Sequence, residues 1–240
     1  MKYYPYKINR IIEDNLKFQI KQRALTTWSE MEKATKLPFV TISREYGCMG
    51  YPIAEGLQSR LNEICDKKFP WMVFDRALVE KVASEHNLSE ELINSLNEKQ
   101  RSQIGQLVDV MLLDRPTEYT AFKMLAKTIC GLAQKGHAII MGRGGCIIGK
   151  DIEKGFHVRL IAPFDFRVQI VGQTRDVSSR KEAEALVKRM DKEREAFVER
   201  FALKPVSDQN NFDLIINVKR NSIEETIEII LNAIRIRKLI

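Results

Sequence analysis

No run in the 240-residue sequence approaches the roughly 18 consecutive apolar residues that a membrane span requires. The N-terminus, MKYYPYKINRIIEDNLKF, also lacks the unbroken apolar segment of a secretory leader, so a cytoplasmic, membrane-free protein is expected. The four cysteines, Cys48, Cys65, Cys130 and Cys146, are scattered without C-x-x-C spacing, which argues against a zinc site and against a disulfide framework. Histidine is scarcer still. His86, His137 and His157 share no metal-ligand spacing, and each is expected to be structural. Internal repeats and low-complexity tracts are missing as well. The formal net charge is +7, yet no dense basic run interleaved with aromatics carries it. The excess positive charge therefore suits small anionic ligands such as nucleotides better than nucleic acid, and no helix-turn-helix, OB or RRM signature opposes that.

What is present is an ordinary globular composition, 44% hydrophobic and 30% charged, in a chain long enough for one α/β domain with a sizeable core. The stretch PFVTISREYGCMGYPIAEGL, residues 38–57, organises the rest. Phe39-Val40-Thr41-Ile42 reads as a short buried strand. Gly47 and Gly50 mark a tight loop, and an apolar helical pattern begins at Ile53, with Pro52 as the first helical residue. Strand, glycine loop and helix N-terminus together gather backbone N–H groups around a phosphate. Against the ordinary G-x-x-x-x-G-K-[ST] template, Arg44 replaces the first glycine, Met49 the second and Gly50 the lysine. Tyr51 and Pro52 follow, with no Ser or Thr to approach a magnesium ion. Cys48 lies where a helix N-terminus could stabilise a thiolate, although a small side chain filling a small space is the favoured reading.

Further strands are expected at 71–74, 138–141, 158–161 and 214–216. Helical periodicity covers 7–34, the face Ile53, Leu57, Leu61 and Ile64, most of 77–135, and the last helix through Ile223, Ile227, Ile230 and Ile234. Ser89 is a candidate cap after Leu88. Ser179 with Glu182, and Ser222 with Glu225, form capping-box patterns; the first opens a helix running to about Phe201. Strands alternating with helices imply a parallel sheet covered on both faces.

Phosphoryl transfer needs in-line positioning and positive charge more than covalent help, so arginines arriving from separate segments are the feature to look for. Four segments supply them. Asp75-Arg76 follows the second strand, where Asp75 could equally cap a helix with Arg76 in solvent. Gly142-Arg143-Gly144-Gly145 closes the third strand at the ligand-binding edge, or is simply a turn. Arg167 follows the fourth strand, ahead of the polar segment GQTRDVSSRKE with Arg175, Arg180 and Lys181, which reads as a mobile lid or as a solvated loop. Arg194 shares a helical face with Val187, Met190, Phe197 and Phe201, and Asp191 three residues earlier could position it. An intrahelical ion pair with Arg194 snorkelling past its neighbours is the plainer alternative.

The run Ile42-Ser43-Arg44-Glu45-Tyr46-Gly47 within VTISREYGCMG resembles the phosphate-binding loop of the cytidylate kinase-like group, divergent relatives of the P-loop nucleoside monophosphate kinases. FDRALVE, Gly142-Arg143, APFDFR and Asp191-Lys192-Glu193-Arg194 resemble further segments of that family, and the likeness spans about residues 37–237. It implies a P-loop NTPase-type three-layer α/β/α fold with a five-stranded parallel sheet in the order 2-3-1-4-5. A kinase-like domain at 37–240 would follow an N-terminal helical extension at 1–36, with an NMP-binding helical region at 75–135 and a lid at 172–190. The implied activity is ATP-dependent phosphoryl transfer to a nucleoside monophosphate, CMP or dCMP, with Mg²⁺ bridging the donor phosphates. By the same resemblance, Arg44, Glu45, Tyr46, Gly47, Cys48, Met49, Gly50, Tyr51 and Arg167 would serve ATP; Asp75, Arg76, Arg143 and Gly144 the acceptor; Arg194, Asp191 and Arg180 the transfer. Gly144 stands where the family has an aspartate, and Tyr51 where the group carries an arginine. The absent lysine keeps a second reading open, a non-catalytic nucleotide-binding or regulatory protein with a degenerate loop. Homodimerisation through the N-terminal or the 77–135 helices fits either reading.

Overall fold

The structure, a computed structural model, describes residues 37–65, 69–84, 86–94, 96, 98–112, 120–202 and 208–240. The expected helix at 7–34, and the extension 1–36 that contains it, lie outside the described residues. Five strands pair in parallel: β1 (Phe39–Arg44), β2 (Met72–Phe74), β3 (Ala138–Met141), β4 (Gly155–Ile161) and β5 (Leu214–Asn217). Their order across the sheet is β2-β3-β1-β4-β5, as the resemblance implied. β1 is central, with Thr41 in register with Ile140 on one side and His157 on the other.

Nine α-helices among the described residues cover the sheet: α1 (Gly50–Ile64), α2 (Arg76–Ser84), α3 (His86–Asn94), α4 (Glu98–Leu112), α5 (Thr120–Lys135), α6 (Gly145–Ile148), α7 (Phe164–Thr174), α8 (Arg180–Ala202) and α9 (Ile223–Ile236). The period-2 alternation of β1 divides the core between the two faces. Val40 and Ile42 meet Ile53, Leu57 and Leu61 of α1 and Ile227, Ile230 and Ile234 of α9. Phe39 turns the other way, into a core built with Val79, Val82, Leu92, Ile104 and Ile129 of α2 to α5. Each fully buried aliphatic side chain of this kind contributes about 1.5–3 kcal/mol by leaving water.

Several boundaries differ from expectation for physical reasons. Pro52 is the third residue of α1 rather than the first. It is tolerated because the first intrahelical bond is donated by the next residue, Ile53 N–H to Met49 O at 3.3 Å. Ile64 is 48% exposed, so the buried stripe of α1 ends at Leu61. Trp71 is buried just ahead of β2. β4 begins at Gly155, not Val158, because Phe39 to Thr41 hold its first residues in register. Ser89 is inside α3 rather than at its start. Ser222 and Glu225 complete a reciprocal capping box on α9. At α8 the Ser179 hydroxyl accepts the Glu182 N–H at 3.2 Å, but the Glu182 carboxylate accepts from Ser178 N–H, one residue early.

Candidate active site

The carboxyl ends of β1, β3 and β4 open onto a cleft of about 800 Å³, at the edge where open parallel sheets leave room for ligands. Six arginines line it from six segments. They are Arg44 at the end of β1, Arg76 at the start of α2, Arg143 after β3, Arg159 in β4, Arg175 after α7 and Arg194 in α8.

The loop between β1 and α1 is anchored from beneath. Gly47 has a φ of +92°, and a Cβ there would stand 2.8 Å from the Arg167 carbonyl oxygen, so only glycine fits. Arg167 itself is 8% exposed. Its Nε donates to Ala162 O at 3.1 Å and an Nη to Tyr46 O at 3.2 Å. It also pairs with Glu45 at 3.3 Å and with Asp191. Glu45 accepts the Ala162 N–H at 3.0 Å, and Asp191 accepts the Tyr46 N–H at 2.7 Å. A guanidinium this deep requires such a set of acceptors, and here Tyr46 O and Glu45 come from the loop it supports, Ala162 O from just after β4 and Asp191 from α8.

Above the loop, Arg194 donates from Nη1 to Arg44 O at 3.1 Å and lies 5.1 Å from the centre of the Tyr46 ring. Arg175 approaches the same ring at 5.9 Å, so Tyr46 is flanked by two guanidinium groups. The Arg44 side chain crosses the first turn of α1: a Cβ on Gly50 would stand 3.2 Å from its Cγ, and one on Gly142 only 2.3 Å from its Nη1. Met49 heads α1 in the left-handed region at φ 49°, and the first N–H groups of a helix have no acceptor within it.

Across the cleft, Gly142, Arg143 and Gly144 are all left-handed, at φ 72°, 51° and 69°. This run directs Arg143 between Glu80 of α2, at 2.7 Å, and the face of Phe197 of α8, 4.2 Å away. Arg76 reaches the same Glu80 carboxylate at 3.4 Å.

A sequence model of the cytidylate kinase-like family matches residues 39–220. The chain belongs to the cytidylate kinase-like family. Membership gives it a nucleotide kinase-like function at that level of description. The crystal structure of an uncharacterized protein from Eubacterium ventriosum has a similar fold, with a TM-score of 0.55 at 16% identity, covering 82% of this chain and 98% of that one. No curated protein matches.

Within this member of the cytidylate kinase-like family, the residues singled out from sequence divide into two groups. Arg44, Glu45, Tyr46, Asp75, Arg76, Arg143, Gly144, Asp191 and Arg194 come together around the cleft. Gly47, Cys48, Met49, Gly50 and Tyr51 form the loop and the head of α1 but are not among the residues lining the cleft, and neither are Arg167 and Arg180. Asp191 does not serve Arg194 as its spacing suggested; its carboxylate is taken by Arg167 and the Tyr46 N–H. Asp75 caps α2, accepting the Leu78 N–H at 2.8 Å. Arg180 is exposed and bound to Asp165 at 2.5 Å and Glu184 at 3.0 Å. Cys48 is buried, and burial, reinforced by Glu45, pushes its thiol up to about 12, so the small-residue reading holds over the thiolate. The segment 172–190, expected to be a lid, consists of the end of α7, the turn 175–179 and the first half of α8; Val177 packs against the Val168, Val171, Ala183 and Val187 cluster. Sequence reasoning missed Glu80 and Arg159. A charge amid the buried residues of HVRLI was the available signal for Arg159.

Proposed function

We propose that the protein transfers a phosphoryl group from Mg·ATP to a nucleoside monophosphate, with CMP or dCMP as the acceptor. The convergence of six arginines from six segments on one cleft, beside the 44–46 loop, carries this reading. Among the described residues no cluster of three His, Cys, Asp or Glu side chains could hold a metal, and Glu45 and Asp191 are tied to Arg167. A divalent ion fits here as part of the nucleotide complex, and its chemistry is to bridge and neutralise the donor phosphates.

In this reading Arg44 takes the part of the absent lysine: its stem passes Gly50 at the head of α1 and its guanidinium reaches Gly142, between the helix N-terminus and the turn after β3. Arg143 and Arg76 hold the acceptor's phosphate. Arg194, braced against the Arg44 carbonyl and the Tyr46 ring, supplies positive charge to the phosphoryl group in transit.

One observation favours a second reading, a nucleotide-binding protein without turnover. The Tyr46 N–H, which a phosphate loop would offer to its ligand, is bonded to Asp191. The deciding experiment is incubation with Mg·ATP and a panel of ribo- and deoxyribonucleoside monophosphates, with direct detection of diphosphates. Diphosphate from CMP or dCMP alone supports the proposal in full. Another acceptor preserves the transfer and removes the cytosine assignment, and ATP binding without any diphosphate establishes the second reading.

A further inference from the structure

Glu80 joins the two arginines on the acceptor side of the cleft. Its Oε1 lies 2.7 Å from an Nη of Arg143 and 3.4 Å from Nε of Arg76. The two guanidinium groups are unlike. The Arg143 side chain is 9% exposed, packed on Phe197 and directed by three successive left-handed residues. A backbone held in that region around a charged side chain is strain of the kind that collects at ligand sites. The Arg76 side chain is 59% exposed, on the first turn of α2. Two guanidiniums from separate elements converging on one point, at the ligand-binding edge of a parallel sheet, describe an anion site.

We propose that Glu80 is the resident anion of this site, and that a phosphate dianion entering the cleft displaces it. The Glu80 side chain is 44% exposed and can swing into water from α2 without disturbing the core. The buried Arg143 cannot withdraw, so it exchanges one anion for another and never stands unpaired. Such a site discriminates by charge: a phosphate dianion competes with a carboxylate for two guanidiniums, whereas an uncharged nucleoside has nothing to offer them. Identifying the displacing ligand as the acceptor's phosphate rests on the kinase reading above; the displacement itself does not.

The test uses inorganic phosphate and isothermal titration of the full chain, comparing the natural protein with Glu80→Gln, which keeps the shape and an acceptor oxygen for Arg143. Removing one directly competing charge should tighten phosphate binding about tenfold or more. Glu80→Asp, one methylene shorter and still charged, should tighten it by less and serves if the glutamine variant does not fold. Arg143→Lys in the Glu80→Gln background should remove the gain. Unchanged or weaker phosphate affinity in the folded variants overturns the proposal and makes Glu80 a structural brace for Arg143. Tightened phosphate binding in a chain that phosphorylates no nucleoside monophosphate keeps the displaceable carboxylate and discards the kinase reading. Turnover with no gain in the variants discards only the displacement.

Discussion

Asp191 of α8 accepts the backbone N–H of Tyr46 at 2.7 Å while its other oxygen pairs with Arg167, so one carboxylate ties α8 to the loop after β1. Asp191→Asn keeps the acceptor for Tyr46 but leaves Arg167 with Glu45 as its only carboxylate. Breaking a buried pair outright costs about 3–5 kcal/mol; with Glu45 retained, a loss of about 2 kcal/mol is expected. Urea denaturation of the two proteins measures it, and a midpoint unchanged by the substitution would remove Arg167 and Asp191 from the loop's support.

Gly47→Ala should destabilise the fold by about 1–3 kcal/mol, because a Cβ would meet Arg167 at under 3 Å and the φ of +92° is strained for any other residue. Gly172→Ala is the control, since a Cβ there meets nothing within 4 Å. Thermal unfolding should separate the two, with the Gly172 variant at or above the parent.

Arg194 is expected to act on the transfer step more than on binding. Under the proposed function, Arg194→Ala should lower kcat by about a hundredfold or more with a small change in nucleotide affinity, as removal of an arginine from a phosphoryl-transfer site does. Steady-state kinetics paired with ATP titration checks this. A rise in KM at constant kcat would instead make Arg194 a ground-state binding residue.

His157 predicts an acid limit to stability. Its Nδ1 lies 2.8 Å from the Thr41 hydroxyl in the sheet, and burial holds the imidazole below its ordinary value of 6.5 despite the opposing pull of Asp213. The folded value is therefore below the unfolded one, and the unfolded chain binds the extra proton first. Stability from this group is complete above about pH 6.5 and declines as the pH falls through the folded value. Denaturation midpoints taken from about pH 7.5 down to about pH 5.5 should fall, and His157→Gln should flatten that slope.

Regular elements were legible where local rules suffice. β3 occupies the expected 138–141, and the Ser222–Glu225 box opens α9 as its spacing demands. The strand order was not legible from periodicity; it came with the family resemblance. In the cleft, Arg143 stood out by its flanking glycines and Arg194 by its apolar stripe, while Arg44 stood out by replacing the first glycine of a phosphate-loop template. Asp191 was assigned to the wrong arginine because i,i+3 spacing offered Arg194, while the true partner arrives from α7 through the fold. Glu80 escaped notice for a similar reason. Four residues after Arg76 it looks like an ordinary surface helix pair, and only the fold brings Arg143, from the turn after β3, to it.

The central place of β1 has a consequence for synthesis. Thr41 is flanked by Ile140 and by His157, the latter 116 residues downstream. At about 5–20 residues per second, the ribosome leaves the strand FVTI without its second neighbour for on the order of ten seconds. Contacts this distant in sequence also slow folding. Until β4 emerges, the nascent chain holds an apolar strand with one edge open, so the cleft at its carboxyl end is completed only late in synthesis.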